Sequence, residues 1–403
     1  MAASDDTLTL THNGIILSGW KSVRVTRGIE RMPSDFLLGV TEKFPGVADD
    51  LVITPGAPVE VRIGGELVVS GYLDRYEPSI SPNAHDIRLA GRGKCADLVD
   101  CSLIHDGNQM VKTSVLDIAR KLAEPYGVAV AAAGEVEGAS KIVGQINLLL
   151  GETPYEVIER VARWAKLLAY EGTDGNLILA NVGTEKHASG FRQGQNVQSA
   201  SASWSMDQRY SEYVGYLLSM NSLSDLAALN GRPADAGNRL GDASDPDAAA
   251  LKRADGSPRR RRHVVISEQY TYELGYVAKA RAEWEMQRRW GRGQAVRLVA
   301  DSWRDGEGRL WEPNRKAVVH LPSLKAIEAE WIVSEVTYSK SPDAGTTAEV
   351  TLMPESAFAV QPEAMQQVYG DIARDLAGGE GTRTGDVNSP DYNPRRNDPA
   401  GGI

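Results

Sequence analysis

Between residues 7 and 96 apolar and polar positions alternate in short runs punctuated by Gly, Pro and Asn, the period of half-buried strands. The runs are Thr7–Leu10, Ile15–Leu17, Lys21–Thr26, Asp35–Val40, Pro58–Ile63, Leu67–Arg75 and His85–Ala90. Strands this short and closely spaced predict a small barrel or sandwich. Gly64-Gly65, between two of the runs, predicts a tight hairpin, because glycine supplies the positive φ that primed turns demand.

From residue 97 the period changes. Val115, Ile118, Ala119 and Leu122 recur at helical spacing, with Ser114 and Asp117 placed to cap the start and Pro125 with Gly127 to end it. Thr153-Pro154-Tyr155-Glu156 is a capping box with Pro at the first helical position, and the stripe Val157, Val161, Trp164, Ala165 and Leu168 predicts the face that the second helix buries. Asp174-Gly175 predicts a hairpin joining Leu167–Tyr170 to Asn176–Ala180. Residues 97–194 therefore form an α/β lobe between β segments. Strand character returns at Ala200–Trp204 and Ser211–Met220, and residues 221–262 predict a long polar loop ending in Arg259, Arg260, Arg261 and Arg262. A helix over 271–290, with Leu274, Val277, Arg281 and Trp284 on one face, precedes strands at Gln294–Asp301, Ala317–Leu321, Glu330–Ser339 and Thr347–Leu352. A hairpin recurs in the two halves: Leu67–Tyr72 is echoed by Trp331–Val336, Pro78 by Pro342, and Asp86–Leu89 by Glu349–Leu352.

Composition narrows the function. Hydrophobic residues make up 42% of 403, enough for several packed cores, and the formal charge of −10 argues against a surface built to grip phosphates. Residues 378–403 are rich in Gly and Pro with Tyr392 as their one aromatic, the composition of a tail that folds on binding. The N-terminus has acids where a signal peptide carries basic residues, and no apolar run approaches the about 20 residues of a spanning helix, so neither export nor membrane insertion is expected. Cys95 and Cys101 are read as reduced core residues, since Cys-x5-Cys with no partnering pair is not a zinc site.

Chemistry is sparse. No phosphate loop, nucleophile elbow, metalloprotease helix or dinucleotide fingerprint occurs, and Gly291-Arg292-Gly293 sits between helix and strand, the wrong order for a phosphate cradle. The six histidines, His12, His85, His105, His187, His263 and His320, share no metal-ligand spacing. Glu156 and Glu159 read as a solvated helix face, and the eight tryptophans as core. No catalytic residue, cofactor or metal is expected.

The string Gly19-Trp20-Lys21-Ser22-Val23-Arg24-Val25-Thr26-Arg27-Gly28-Ile29-Glu30 resembles the opening of the baseplate hub proteins of Mu-like contractile phage tails. Collinear matches follow at Gly71-Tyr72-Leu73-Asp74, Ala96-Asp97-Leu98-Val99-Asp100-Cys101, Ala123-Glu124-Pro125-Tyr126-Gly127-Val128, Arg209-Tyr210-Ser211-Glu212-Tyr213 and Leu310-Trp311-Glu312-Pro313-Asn314. The resemblance covers about residues 7–356. It implies a β-rich α+β chain with two small β-barrel domains, an inserted α/β lobe and a second helix and loop insertion, assembled as a trimeric ring. The expected domains are a first barrel over 1–96, the lobe over 97–194, a second barrel over 195–220 plus 263–356, the loop over 221–262 and a tail over 357–403. The implied role is a symmetry adaptor and DNA conduit in the virion baseplate, assembled in the host cytoplasm. Its partners are further copies of itself, the hexameric tail tube, the trimeric membrane-piercing spike, the baseplate wedges and the tape-measure protein, with DNA as passing cargo. Asp391, Tyr392, Asn393, Pro394, Arg395 and Arg396 are expected to be ordered by a neighbouring subunit or the spike. The bore is expected to be acidic or neutral, because a basic wall would bind DNA through released counterions, with Arg259–Arg262 turned away from it. Competing readings are a tail-borne cell-wall hydrolase, a module binding a host surface sugar, and the hub part of a type VI secretion-like spike.

Overall fold

The computed structural model describes residues 6–41, 53–82, 84–105, 107, 109–134, 136–183, 185–218, 239–268 and 276–359. The fold is α+β and β-rich. The first strand set holds β1 (Leu8–His12), β2 (Ile15–Leu17), β3 (Ser22–Gly28), β4 (Asp35–Thr41), β5 (Pro58–Ile63), β6 (Glu66–Ser81) and β7 (Ala84–Gly93). Each predicted run is a strand, and Gly64 and Gly65, at φ +57° and +84°, turn β5 into β6.

The lobe follows. It contains α1 (Ala96–Asp100), β8 (Gln109–Ser114), α2 (Val115–Ala123), β9 (Val130–Ala132), β10 (Ile142–Asn147), α3 (Pro154–Trp164), β11 (Leu168–Glu171) and β12 (Leu177–Ala180). Both helix caps form as the sequence predicts. The Ser114 hydroxyl accepts from Asp117 N at 3.1 Å; Thr153 accepts from Glu156 N at 3.2 Å while the Glu156 carboxylate accepts from Thr153 N at 2.8 Å. Their apolar faces meet in one core that includes Ile118, Leu122, Val157 and Val161. The expected α3 stripe needs one correction. The helix ends at Trp164, Lys166 reverses the chain at φ +63°, and Leu168 opens β11 instead of closing the helix. Cys101 is also corrected: it is exposed where the chain leaves α1, whereas Cys95 is buried, and both are free thiols.

Short strands β13 (Glu185–Lys186) and β14 (Phe191–Arg192) lead into β15 (Val197–Trp204). The second strand set continues, after an insertion, with β19 (Gln294–Ala300), β20 (Arg315–Leu321), β21 (Ala326–Ser341) and β22 (Gly345–Met353). The insertion departs from expectation. In place of a plain loop over 221–262, residues 239–262 carry β17 (Arg239–Ala243), the short helix α4 (Pro246–Ala249) and the start of β18 (Arg262–Glu268). Together with β16 (Glu212–Leu218) they form a separate three-stranded sheet, β17-β16-β18, with β16 parallel to β18. Residues 212–218 and 263–268 therefore leave the second strand set to which the sequence assigned them. Helix α5 (Tyr276–Arg292) packs against this sheet and buries Ala282; the part of the predicted helix before residue 276, including Leu274, lies outside the described residues. Residues 221–238 and the tail from 360 also lie outside them.

The two strand sets share one 14-stranded sheet, whose main path runs β15-β19-β22-β21-β3-β4-β7-β6-β5-β1-β2. Within it a five-stranded unit occurs twice: β3, β4, β5, β6, β7 and β15, β19, β20, β21, β22 each lie in the order first-second-fifth-fourth-third, with every pairing antiparallel. The match extends to register. Pro58, Val59, Glu60 and Val61 face Tyr72, Gly71, Ser70 and Val69, as Lys316, Ala317, Val318 and Val319 face Ile332, Trp331, Glu330 and Ala329. A bulge follows at the same step in both ladders, after Val61 and after Val319. A second bulge recurs between Leu73 and Arg75 of β6 and between Val333 and Glu335 of β21. The echo seen in the sequence thus marks the right hairpins but with a slip of four residues in its first strand and two in its second: the ladders match Trp331 to Gly71, not Leu67, Tyr338 to Pro78, and Glu349 to Arg88, not Asp86. An even slip keeps every side chain on its own face, so alternation alone cannot detect it.

The capping box makes a direct test of the lobe. Thr153→Ala should lower its stability by about 1 kcal/mol in urea unfolding, the usual cost of a lost N-cap. An unchanged midpoint would show that packing alone holds α3.

Candidate assembly interface

The units meet where β21 switches neighbours. Its first half, from Ala326 to Ile332, pairs with β20; its second half, Glu335–Lys340, pairs antiparallel with Gly28–Val23 of β3. At this seam the Thr26 and Thr337 hydroxyls are 3.1 Å apart, buried and hydrogen-bonded to each other. Arg31 reinforces the joint by pairing with Asp35 of the first unit and Glu335 of the second. Farther along, buried Arg304 reaches from the second set to Asp6 at 3.1 Å and to Glu66. One core runs through both units, from Leu10, Phe36 and Leu73 to Trp303, Trp311 and Tyr338.

Three buried polar groups deserve to be weighed as chemistry, and each is already committed. Glu171, whose carboxyl is pushed up by burial, accepts the backbone N–H groups of Ser34 and Cys95, both at 2.8 Å, and so ties the lobe to the first strand set. Asp245 forms a bidentate pair with Arg209, at 2.7 and 2.8 Å, which closes the small sheet. His187 Nδ1 lies 3.3 Å from Asp305 Oδ2, a hydrolase-like geometry. Its Nε2, which a nucleophile would need as base, instead accepts the Glu312 N–H at 3.2 Å. Burial holds the His187 imidazolium below its ordinary range; Asp305 resists burial and stays ionised because the N–H groups of Arg309, Glu307 and Ala188 and the ring of His187 face it. Among the described residues no group of three metal-ligating side chains converges.

The second half of the Arg run is taken up by the small sheet, while Arg259 and Arg260 are exposed. Arg261 donates to the Met206 and Asp207 carbonyls at 2.6 and 2.7 Å and lies over the Tyr210 ring, and Arg262 pairs with Glu212 at 3.1 Å. The residues expected at the tail interface, Asp391, Tyr392, Asn393, Pro394, Arg395 and Arg396, lie outside the described residues. What sequence reasoning missed is the seam: Thr26 and Glu335 lie in segments that the sequence singles out, but nothing there points to Thr337 or Arg31, and only the register of two distant strands brings the four together. The motif residues prove to be anchors. Asn314, at φ +64°, accepts from Gly183 N at 2.8 Å and donates to the Asn181 carbonyl at 2.9 Å, while Trp311 fills the core beside Phe191.

Comparison with known proteins resolves the family segment by segment. Residues 7–93 match the profile of the Mu phage baseplate assembly protein GpP-like N-terminal domain, residues 95–181 that of the baseplate hub protein gp44-like second domain, and residues 275–361 that of the GpP fourth domain. The chain belongs to the Mu-like phage baseplate hub family. It is 29% identical over 367 residues to the baseplate hub protein gp44 of Escherichia phage Mu, covering 89% of this chain and 90% of that one. The 43 kDa tail protein of prophage MuSo2 from Shewanella oneidensis superposes with a TM-score of 0.73 at 26% identity, over 89% of this hub and all of that chain. A tail protein from Neisseria meningitidis shares the fold, with a TM-score of 0.68 at 19% identity over 88% of this hub and 98% of that chain. The matched segments fall on the first strand set, the lobe, and α5 with the second strand set.

The buried His187 gives the hub a pH signature. Its folded pKa lies below the unfolded value near 6.5, so its contribution to stability is present above that value and is lost as pH falls through it toward the folded pKa. Urea midpoints measured from pH 7 to 5 should fall in the native chain and fall less in His187→Gln. Equal slopes would remove His187 as the cause.

Proposed function

We propose that this hub is a trimeric symmetry adaptor and DNA conduit, joining a hexameric tail tube to a trimeric membrane-piercing spike in the virion baseplate. The observation that carries the reading is the register-matched repeat: each chain presents two copies of one five-stranded unit, so three chains present six. A ring of six near-equivalent units fits a six-fold tube on one side while its three-fold symmetry fits the spike on the other. Tube, spike, wedges and tape-measure protein are the partners in this reading, assembly takes place in the host cytoplasm, and no reaction is catalysed.

The solvent face of the shared sheet is the wall proposed for the bore. On the first unit its basic residues include Arg24, Arg62, Arg75, Arg88 and Arg92, accompanied by Asp35, Glu60, Asp74, Glu77 and Asp86; Arg92 pairs with Asp74 at 2.6 Å, Arg62 with Glu60 at 2.9 Å and Arg75 with Glu77 at 3.4 Å. On the second unit the matching face carries Arg297, Glu335 and Glu349 among Ser199, Ser201 and Thr351. Such a wall is close to neutral and offers DNA few uncompensated cations, so a strand can pass without the counterion release that would hold it. The commitment of Arg261 and Arg262 to the small sheet supports an Arg run that takes no part in this wall.

Native mass spectrometry of the hub co-expressed with its spike should show three copies of the chain; a monomer indifferent to the spike would contradict the proposal. Deleting residues 379–403, which include the proposed contacts Asp391, Tyr392, Asn393, Pro394, Arg395 and Arg396, should leave the unfolding midpoint unchanged and weaken assembly with the spike. Undiminished assembly would show the tail to be dispensable.

A further inference from the structure

The repeat makes the seam between the units a template, and among the described residues the template is used once. Inside the molecule, the distal half of β21 pairs with β3. By the register of the repeat, β6 is the counterpart of β21 and β15 is the counterpart of β3. The corresponding pairing, distal β6 with β15, is absent. On its outer edge β6 is covered by β5 only from Glu66 to Tyr72, with Leu73 bonded to Ala57 and Gly56. From Arg75 to Ile80 that edge meets no strand among the described residues. Among the described residues the outer edge of β15 meets nothing beyond one bridge from Gln193 to Val197, and β15 ends the sheet path.

We propose that these two open edges pair with each other between neighbouring copies of the chain, so that Arg75–Ile80 of β6 runs antiparallel to residues 200–204 of the next subunit's β15 and the adjoining Ser205, and the sheet passes unbroken around the ring. The proposal rests on the trimeric reading above and specifies its interface. The seam fixes the register. Glu335 faces Gly28 and Lys340 faces Val23 within the chain; by the repeat, Arg75 then faces Ser205, Tyr76 faces Trp204, Glu77 faces Ser203, Pro78 faces Ala202, Ser79 faces Ser201 and Ile80 faces Ala200.

The side chains sort correctly in that register. On the core layer it joins Tyr76, Pro78 and Ile80 to Trp204, Ala202 and Ala200, apolar on both strands. Ile80 is 84% exposed and Trp204 47% exposed in the single chain, so both gain a cover they lack. On the other layer it joins Arg75, Glu77 and Ser79 to three serines, continuing the polar wall. Pro78 has no N–H, and its place in the ladder with Ile87 turns that missing donor outward. The intersubunit ladder therefore lacks one bond but keeps the Pro78 carbonyl as acceptor. A proline on an otherwise open edge also discourages pairing with unrelated strands, leaving the apolar match to select the partner. Because the two edges are different surfaces, the contact is head-to-tail, the kind that closes into a ring.

The register can be read with a designed disulfide. Since Pro78 points its backbone groups outward, Ser79 and Ser201 form a non-hydrogen-bonded pair, with Cα atoms about 4.5 Å apart, within the range a disulfide spans. In a Cys101→Ser background, Ser79→Cys with Ser201→Cys, co-expressed with the spike and mildly oxidised, should give covalent dimers and trimers on a non-reducing gel. The register control Ser79→Cys with Ser199→Cys should give several-fold less. A trimer by native mass spectrometry that shows no cross-link, or no preference for position 201, overturns the interface and leaves the trimeric reading standing. A chain that stays monomeric with the spike overturns both.

Discussion

Everything distinctive about this hub depends on a six-residue ladder between β21 and β3. Without it the two strand sets would still share a core and the ion pairs of Arg304 with Asp6 and Glu66, but would have no continuous strand order. With it, the strand order is continuous and the two units are held at a fixed rotation, because adjacent strands in one sheet can differ only by the sheet's own twist. Cross-strand hydrogen bonds set the spacing, and the buried Thr26–Thr337 pair with Arg31 bridging Asp35 and Glu335 fixes the register at its centre.

The bulges matter for the same reason. Each inserts one residue and increases local twist, so a bulge at the same step in both units gives both the same curvature. A symmetry adaptor needs this equality of shape more than equality of sequence: Gly71 on one unit stands where Trp331 stands on the other. The insertions differ more freely. The lobe follows the first unit, and the small sheet with α5 sits between the first and second strands of the second unit; side-chain anchors hold them to the rest of the molecule, Glu171 for the lobe and the Arg288 and Arg292 pairs with Glu30 for α5.

Much of the architecture was legible in the sequence. Strands β1–β7, the caps at Ser114 and Thr153, and the glycine hairpin are local, and local rules read them. The slip in the internal echo came from a real limit, since period-2 alternation is unchanged by any even shift and bulge positions leave no residue signature. The sequence pattern marks β16 as a strand but not its partners: β17 and α4 fall in the stretch that reads as loop, because the small sheet is built from parallel and distant pairings, Tyr213 beside His263 and Ala243, across a polar segment whose hydrophobic pattern is weak. The seam residues were invisible for the same reason: Arg31 and Glu335 are 304 positions apart. Family resemblance, carried by anchors such as Trp311 and Asn314, identified the chain without marking the surface through which it acts.

The face that the seam makes continuous is the one proposed to line the bore, and its paired charges follow from the same strand register that aligns the units. The central claim is therefore geometric. A cryo-EM reconstruction of the hub assembled with its spike tests it most directly: the account predicts six five-stranded units at one radius, alternating between the β3–β7 and β15–β22 types and separated by nearly equal rotations. Two types at different radii, or facing the axis with different sides of the sheet, would contradict it.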